Sequence, residues 1–403
     1  MPQDIASATG ASTDPPLRLL LLTTSYPVAG QSVSGAFVER LANALAEQVR
    51  VTVLTPDAAT PPERRPRSAL TLTTFRYAPR RHQRLAHGPG GIPAALRAGW
   101  RQRLLVLPFL LAMFAATWRH ASQHQAILAN WSVCGLIAGI VGRLQRRPVV
   151  TVMRGEDVAR LAGSALFRAI ARACLRQSRS VVTVSDAMAE QLRSFDPAHA
   201  DKVRMIANGV SDDFLAVPEV DTAATPLRLL YVGSLIPRKS VVTLVEAMCR
   251  LSEDVLLTIV GEGSEAAALV ARSVAAGLDR RVRFLPFHPS DQIASLLADA
   301  HALVLPSLSE GRPNVVIEAL AAGRPAIVSD IPGSRELVGD DQRGLRFPAG
   351  DAAALADCID RLRDPTLRRR LGNHGRQFIH EQGLSWTAAA REYRRLFEPT
   401  ERC

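Results

Sequence analysis

Residues 302–329 read ALVLPSLSEGRPNVVIEALAAGRPAIVS. The apolar run from Ala302 to Leu305 has strand character, and the Pro, Ser and Gly residues from Pro306 to Pro313 read as a loop. The next stretch has helical periodicity and is stopped by Gly323-Arg324-Pro325, after which a second β-branched run begins at 325–328. Strand, loop, helix and strand in that order form one parallel crossover unit. The same alternation extends outward in both directions. In the second half, strands are expected at 227–233, 255–260 and 282–286, with helices at 240–251, 264–276, 290–298 and 314–322. In the first half, strands are expected at 17–23, 49–55, 126–131, 148–153 and 180–185. Between them lie helical segments at 36–48 (Phe37, Leu41 and Leu45 on one stripe), 92–118, 133–145 and 164–176. The fold class is therefore α/β, with parallel sheets covered by helices on both faces. No fixed short period recurs, which argues against a solenoid.

With 403 residues the chain is longer than one hydrophobic core usually organises, so two domains are expected. The periodicity breaks at 214–226, FLAVPEVDTAATP. That break divides a domain at 17–213 from a second at 227–384, with a disordered tail at 1–16 and a closing segment at 385–403. Two doubly wound, Rossmann-like domains in series face each other across a cleft. Each presents the loops at the carboxyl ends of its strands.

A hydrophobic content of 47% excludes a disordered or low-complexity chain. The net charge is +11, and only Lys202 and Lys239 among the 49 basic residues are lysines. A lysine at a functional-looking place is therefore informative. The positive balance favours an anionic partner, whether nucleic acid, anionic lipid or a phosphorylated small molecule. Five scattered cysteines without metal-ligand spacing support neither a disulfide framework nor a zinc site, and suggest a reducing cytosol. The N-terminus has no basic region preceding an apolar run, so no export signal is expected. The apolar run Leu104–Trp118 has fifteen residues, which reads as too short to cross a bilayer.

The helix that starts near Asn314, read as its N-cap, aims free N–H groups and a positive dipole end into the loop before it. This is a ready anion site. Glu310 in the loop and Glu318 one turn into the helix are able to face one ligand and to bond sugar hydroxyls. Over Ser307–Pro325 the chain resembles the retaining glycosyltransferases of family 4. Their signature is S-x-x-E-G-x-P-x-x-x-x-E-A-x-A-x-G-x-P, with two glutamates separated by seven residues. Gly333-Ser334-Arg335-Glu336 extends the resemblance. It implies a GT-B fold in which Glu318 holds the nucleotide ribose, Glu310 meets the donor sugar, and Gly311, Pro313, Asn314 and Val315 line the donor.

Tyr231 to Ser240, YVGSLIPRKS, is similar to the family's V-G-R-L-x-x-x-K-G element, whose arginine and lysine hold the donor diphosphate. Here Gly233 and Lys239 match, but Ser234 stands for the arginine and Ser240 for the final glycine. Arg238 either supplies the missing charge or points to solvent. Met153 to Asp157, MRGED, resembles an H-G-x-D element with Arg154 in place of histidine. An arginine there acts electrostatically, since it does not carry protons. The loop Ala29–Phe37 places Gly35 where ligand and backbone approach closely. Thr183-Val184-Ser185 and Ile206 to Val210 also look like the family, and the helix around Trp386–Phe397 would cross back onto the first domain. Gly261-Glu262-Gly263-Ser264-Glu265-Ala266 fits G-x-G-x-x-A, but its two glutamates oppose a pyrophosphate, so it reads as a plain tight turn, the alternative being a loop that lines the donor site.

The resemblance implies an enzyme that moves a sugar from a nucleoside diphosphate donor, with Glu310, Lys239 and Arg154 as catalytic residues. No metal or other cofactor is expected, since no D-x-D run is present. The implied acceptor is a lipid-linked glycan or polysaccharide precursor, with no nucleic acid partner, in the cytoplasm or peripheral at the inner membrane face. The stretch 92–118, with Trp100, Trp118 and flanking arginines, is either a buried helix or a rest against an anionic membrane. Two other readings share this architecture. One is a sugar-nucleotide 2-epimerase, and the other is a sugar-nucleotide binder impaired by Ser234 and Arg154.

Overall fold

A computed structural model describes residues 16–27, 35–58, 70–83, 85–87, 92, 95–96, 99–219 and 225–398. Most of the expected tail 1–16, most of the loop Ala29–Phe37, part of the linker 214–226 and residues 399–403 lie outside the described residues. The first half runs β1 (Arg18–Leu22), α1 (Ala36–Ala46), β2 (Arg50–Pro56), β3 (Leu70–Phe75), α2 (Trp100–Leu104), α3 (Val106–Ala121) and β4 (Ala126–Asn130). It continues with α4 (Ser132–Gln145), β5 (Val149–Val152), α5 (Gly155–Ala159), α6 (Ala165–Gln177), β6 (Ser180–Thr183), α7 (Asp186–Phe195) and β7 (Val203–Met205). The second half runs α8 (Asp212–Leu215), β8 (Leu227–Val232), α9 (Val241–Met248), β9 (Val255–Val260), α10 (Ala266–Ala275), β10 (Val282–Leu285) and α11 (Ser290–Asp299). After these come β11 (Ala302–Leu305), α12 (Asn314–Ala321), β12 (Ala326–Ser329), α13 (Pro332–Val338), β13 (Gly344–Phe347), α14 (Ala352–Arg361), α15 (Pro365–Glu381) and α16 (Trp386–Arg395).

Two parallel sheets result, seven-stranded in the order β3-β2-β1-β4-β5-β6-β7 and six-stranded in the order β10-β9-β8-β11-β12-β13. β1 shows why the strand runs are unbroken. Leu19 and Leu21 enter the core under α1, Leu20 and Leu22 enter the opposite core under α3 and α4, and all four are fully buried. A central parallel strand has no solvent face, so it does not alternate. Each buried leucine contributes about 1.5–3 kcal/mol. The strands missing from the sequence expectations are β3, β7 and β13, all at sheet edges. β3 reads LTLTTF and is half-exposed along most of its length, so its pattern is diluted with threonine.

Val210 packs into the second core, and so do Phe214 and Val217 from within the 214–226 stretch. α16 returns to the first: Trp386, Ala390 and Tyr393 pack with Val38, Leu41 and Leu45 of α1. In both sheets the strand order reverses between the first strand and the fourth of its half, β1/β4 and β8/β11. Ligands bind outside such switch points, where neighbouring loops leave in opposite directions.

The expectation that the apolar run of the first domain is too short to span a membrane is overturned on length. The helical stretch runs from Trp100 to Ala121, 22 residues, and by length and composition alone it could cross. It packs one row of side chains, Phe109, Met113, Ala116 and Thr117, against the first domain.

Candidate active site

The loops after β8 and β11 are clamped together. Leu308 donates its N–H to the Arg238 carbonyl at 2.9 Å, and Arg238 returns Nη1 to the Ser309 carbonyl at 2.7 Å. Glu310 is nearly buried between two cations. Lys239 Nζ donates to its Oε1, and Arg238 Nη1 lies 3.8 Å from its Oε2. Arg238 thus holds the loop while its side chain stays 42% exposed. Under this pair, Tyr231 donates its hydroxyl to the Ser234 carbonyl at 3.1 Å. A Cβ on Gly233 would come within 2.8 Å of that hydroxyl. Ser240, where the family element has glycine, adopts φ +48 and pairs its hydroxyl with Thr243 at 2.9 Å. The glycine of the element thus answers a left-handed turn, which serine meets here at a cost of about 1–2 kcal/mol.

Gly261 and Gly263 form a tight turn. A Cβ on either would stand about 2 Å from the carbonyl of Gly233 or Leu235, so the turn braces the loop after β8 from behind.

Asn314 is not an N-cap, contrary to the sequence expectation. Pro313 holds that position in an extended conformation, and Asn314 is the first helical residue. Proline already sets the backbone for helix entry, which leaves the Asn314 side chain available. Its Oδ1 accepts from Asn208 Nδ2 of the first domain at 2.8 Å. Asn208 Oδ1 in turn accepts from Arg154 Nη1 at 3.0 Å, and Arg154 Nη2 reaches Asn130 Oδ1 at 3.3 Å. The Arg154 guanidinium stacks 4.2 Å over Phe37, which meets Trp131 edge-on. Among the described residues no carboxylate is hydrogen-bonded to this buried guanidinium, and its Nε has no partner. Burial pulls its pKa down, yet arginine stays protonated. Asp157 instead caps its own helix, accepting from Arg154 N at 3.0 Å and from the Ser132 hydroxyl at 2.6 Å. Burial pushes its carboxyl up.

Glu318 is buried and ion-paired across the cleft. Arg40 of α1 places Nη1 2.6 Å from its Oε1 and Nη2 2.6 Å from the Ser290 hydroxyl. A third bridge is made by Glu336, which accepts from Ala187 N at 2.7 Å at the start of α7 and from Arg312 at 3.3 Å. Gly155 and Gly311 meet backbone to backbone, where a Cβ on either would come within about 3 Å of the other. Val315 packs on the second core. Gly35 begins α1 at φ +91, and a Cβ there would lie 2.4 Å from the Ser25 carbonyl.

The structure therefore brings Lys239, Arg238 and Glu310 together. It links Arg154 to Asn314 through Asn208, and it places Glu318 against Arg40. Arg40 carries no motif, and its role is visible only from its partner. Asn208 lies in a family-like segment but had no assigned task. Among the described residues no group of three or more His, Cys, Asp or Glu side chains comes together in a metal-ligating cluster.

Two parallel α/β sheets with their switch points turned to one cleft define the GT-B class of glycosyltransferases. The sucrose-phosphate synthase of Thermosynechococcus elongatus has this fold, with a TM-score of 0.78 and 23% identity over 94% of this chain and 99% of its own. The Anabaena protein HepE, solved in complex with UDP-glucose, has it too, with a TM-score of 0.72 and 17% identity over 94% and 98%. The chain belongs to the family 4 glycosyltransferases. The family model "Glycosyltransferase Family 4" matches residues 34–214, and "Glycosyl transferases group 1" matches 217–378. The phosphatidyl-myo-inositol mannosyltransferase of Mycobacterium leprae is 34% identical over 167 residues, 40% of this chain and 43% of that one. Alignments with the curated relatives span about two thirds of their length or less.

Proposed function

We propose that the protein transfers a sugar from a nucleoside diphosphate donor to a lipid-linked glycan or polysaccharide precursor at the inner face of the membrane, with retention of anomeric configuration. The observation that carries this reading is the convergence of Lys239, Glu310 and the N-terminus of α12 at the carboxyl ends of β8 and β11. A departing diphosphate is an anion, and fixed positive charge aimed at it is the largest catalytic term available. Lys239 supplies a compact ammonium, and α12 supplies its dipole end. Arg154 adds a buried positive charge whose position Asn208 and Asn130 fix. Glu310 faces the sugar, Glu318 the ribose, and Gly233, Gly311 and Pro313 let the donor approach backbone closely. UDP is the nucleotide to test first, because HepE binds it on this fold. The M. leprae relative, by its name, acts on a phosphatidyl-myo-inositol lipid, which supports a lipid-linked acceptor.

The test is incubation with a panel of nucleoside diphosphate sugars and membrane extract. Free diphosphate together with a glycosylated product supports transfer. An isomerised donor without acceptor marks a 2-epimerase, and binding without turnover marks an impaired binder. Lys239→Ala and Glu318→Ala should each lower turnover about a hundredfold or more while leaving circular dichroism unchanged. Near-normal activity in both refutes the site.

A further inference from the structure

The outer face of the first domain carries an apolar row that the active site does not use. Trp100, Leu104, Leu107, Leu111 and Trp118 follow steps of three, four and seven residues along α2 and α3, so they share one helix face. The first four are between 61% and 67% exposed and Trp118 is 43% exposed. The opposite row, with Phe109 and Met113, is buried in the domain. A surface helix in water turns charged residues outward. This one is apolar on both sides, and its buried row ties it along the domain surface.

The row does not end at Trp118. The carbonyl of that residue accepts from Gln145 Nε2 at 2.8 Å, and the neighbouring Leu144 of α4 is 62% exposed. Beyond it the ends of α4 and α6 and the start of β5 enclose a cleft of about 700 Å³. Its walls carry Arg143, Arg146, Arg147, Arg176 and Arg179 and, among the described residues, no Asp or Glu. Arg143, Arg146, Arg147 and Arg176 have no carboxylate partner among the described residues. Unneutralised arginines held this close repel one another, and an anion relieves that repulsion.

We infer that the α2–α3 row and the arginine cleft form one docking surface for an anionic phospholipid bilayer, the row entering the acyl boundary and the cleft taking headgroup phosphates. Nucleic acid would match the arginines but would leave the leucine and tryptophan row in water. The row and the cleft together fit only a surface that is anionic outside and apolar beneath. Because α3 leads into the start of β4, the Trp100 end of the α2–α3 stretch points toward the carboxyl edge of the sheet, where the candidate active site opens. A bilayer along the helix, about 33 Å for 22 residues, reaches the cleft mouth. The inference deepens the membrane-side acceptor reading, but the binding it describes does not require the donor site.

The test is flotation of the full chain with phosphatidylcholine vesicles, with and without phosphatidylglycerol. Binding should require phosphatidylglycerol and weaken with salt. Each arginine near such a surface contributes about fivefold in partitioning, so Arg143→Gln/Arg146→Gln/Arg176→Gln should lose about a hundredfold. Leu107→Ser/Leu111→Ser should lose about tenfold or more. In both variants UDP binding should equal wild type, which shows that the fold and donor site are intact. Wild-type protein that does not float, an arginine variant that floats like wild type, or displacement of the vesicles by a short RNA each overturns the inference. Failure of the donor panel, by contrast, refutes only the proposed transfer.

Discussion

Replacing Arg40 by methionine keeps the aliphatic stem and removes the guanidinium that occupies Glu318. If Glu318 receives the ribose, the nucleotide must displace this cation before it binds. Arg40 donates to Glu318 at 2.6 Å and to Ser290 at 2.6 Å, with side chains 20% and 10% exposed in the ion pair. A hydrogen bond to a charged group contributes about 1.5–3 kcal/mol net, and partial exposure to solvent lowers that to about 1–2 kcal/mol. Arg40→Met should therefore tighten UDP binding by about five- to thirtyfold in isothermal titration calorimetry. The ligand-free protein should unfold at lower denaturant, because Glu318 is left buried without its partner. In a Glu318→Gln background the same change should leave UDP affinity unaltered, since no carboxylate remains to be released. UDP affinity that stays the same or weakens in the single variant refutes the competition and places Arg40 in the bound complex instead.

Burial pulls the pKa values of His87 and His124 below the ordinary value of 6.5 in the folded chain. The unfolded chain then binds more protons just below that pH, so stability should fall as pH drops through about 6.5. His124→Gln should flatten part of that slope in denaturant midpoints taken across the range, and an unchanged slope counts against it. At Gly209 a Cβ would come 2.1 Å from Trp386 N, backbone against backbone. Gly209→Ala should cost about 1–3 kcal/mol and speed hydrogen exchange in α16, whereas unchanged exchange would show that the seam yields freely.

The strands of both sheet centres were legible in the sequence because a parallel strand buried on two faces must be an unbroken apolar run. The loop and helix from Pro306 to Ala321 were legible because proline, glycine and the helical period are local signals. β3 was not, since its half-exposed LTLTTF is diluted with threonine, and neither were the short edge runs β7 (VRM) and β13 (GLRF). The residues of the candidate site divide along the same line. Glu310, Glu318 and Lys239 stood out within their own segments, and Ser234, Ser240 and Arg154 stood out as departures from a pattern. Their pairing did not, because Lys239 meets Glu310 across 71 residues of chain and Arg40 meets Glu318 across 278. Asn314 shows the limit most plainly: its helix entry is local, but its side chain answers to Asn208, 106 residues away. Local propensity determines which elements form and where they stop. Which charge neutralises which is decided only in the tertiary structure, between neighbouring loops of one sheet for Lys239 and Glu310 and across the cleft for Arg40 and Glu318.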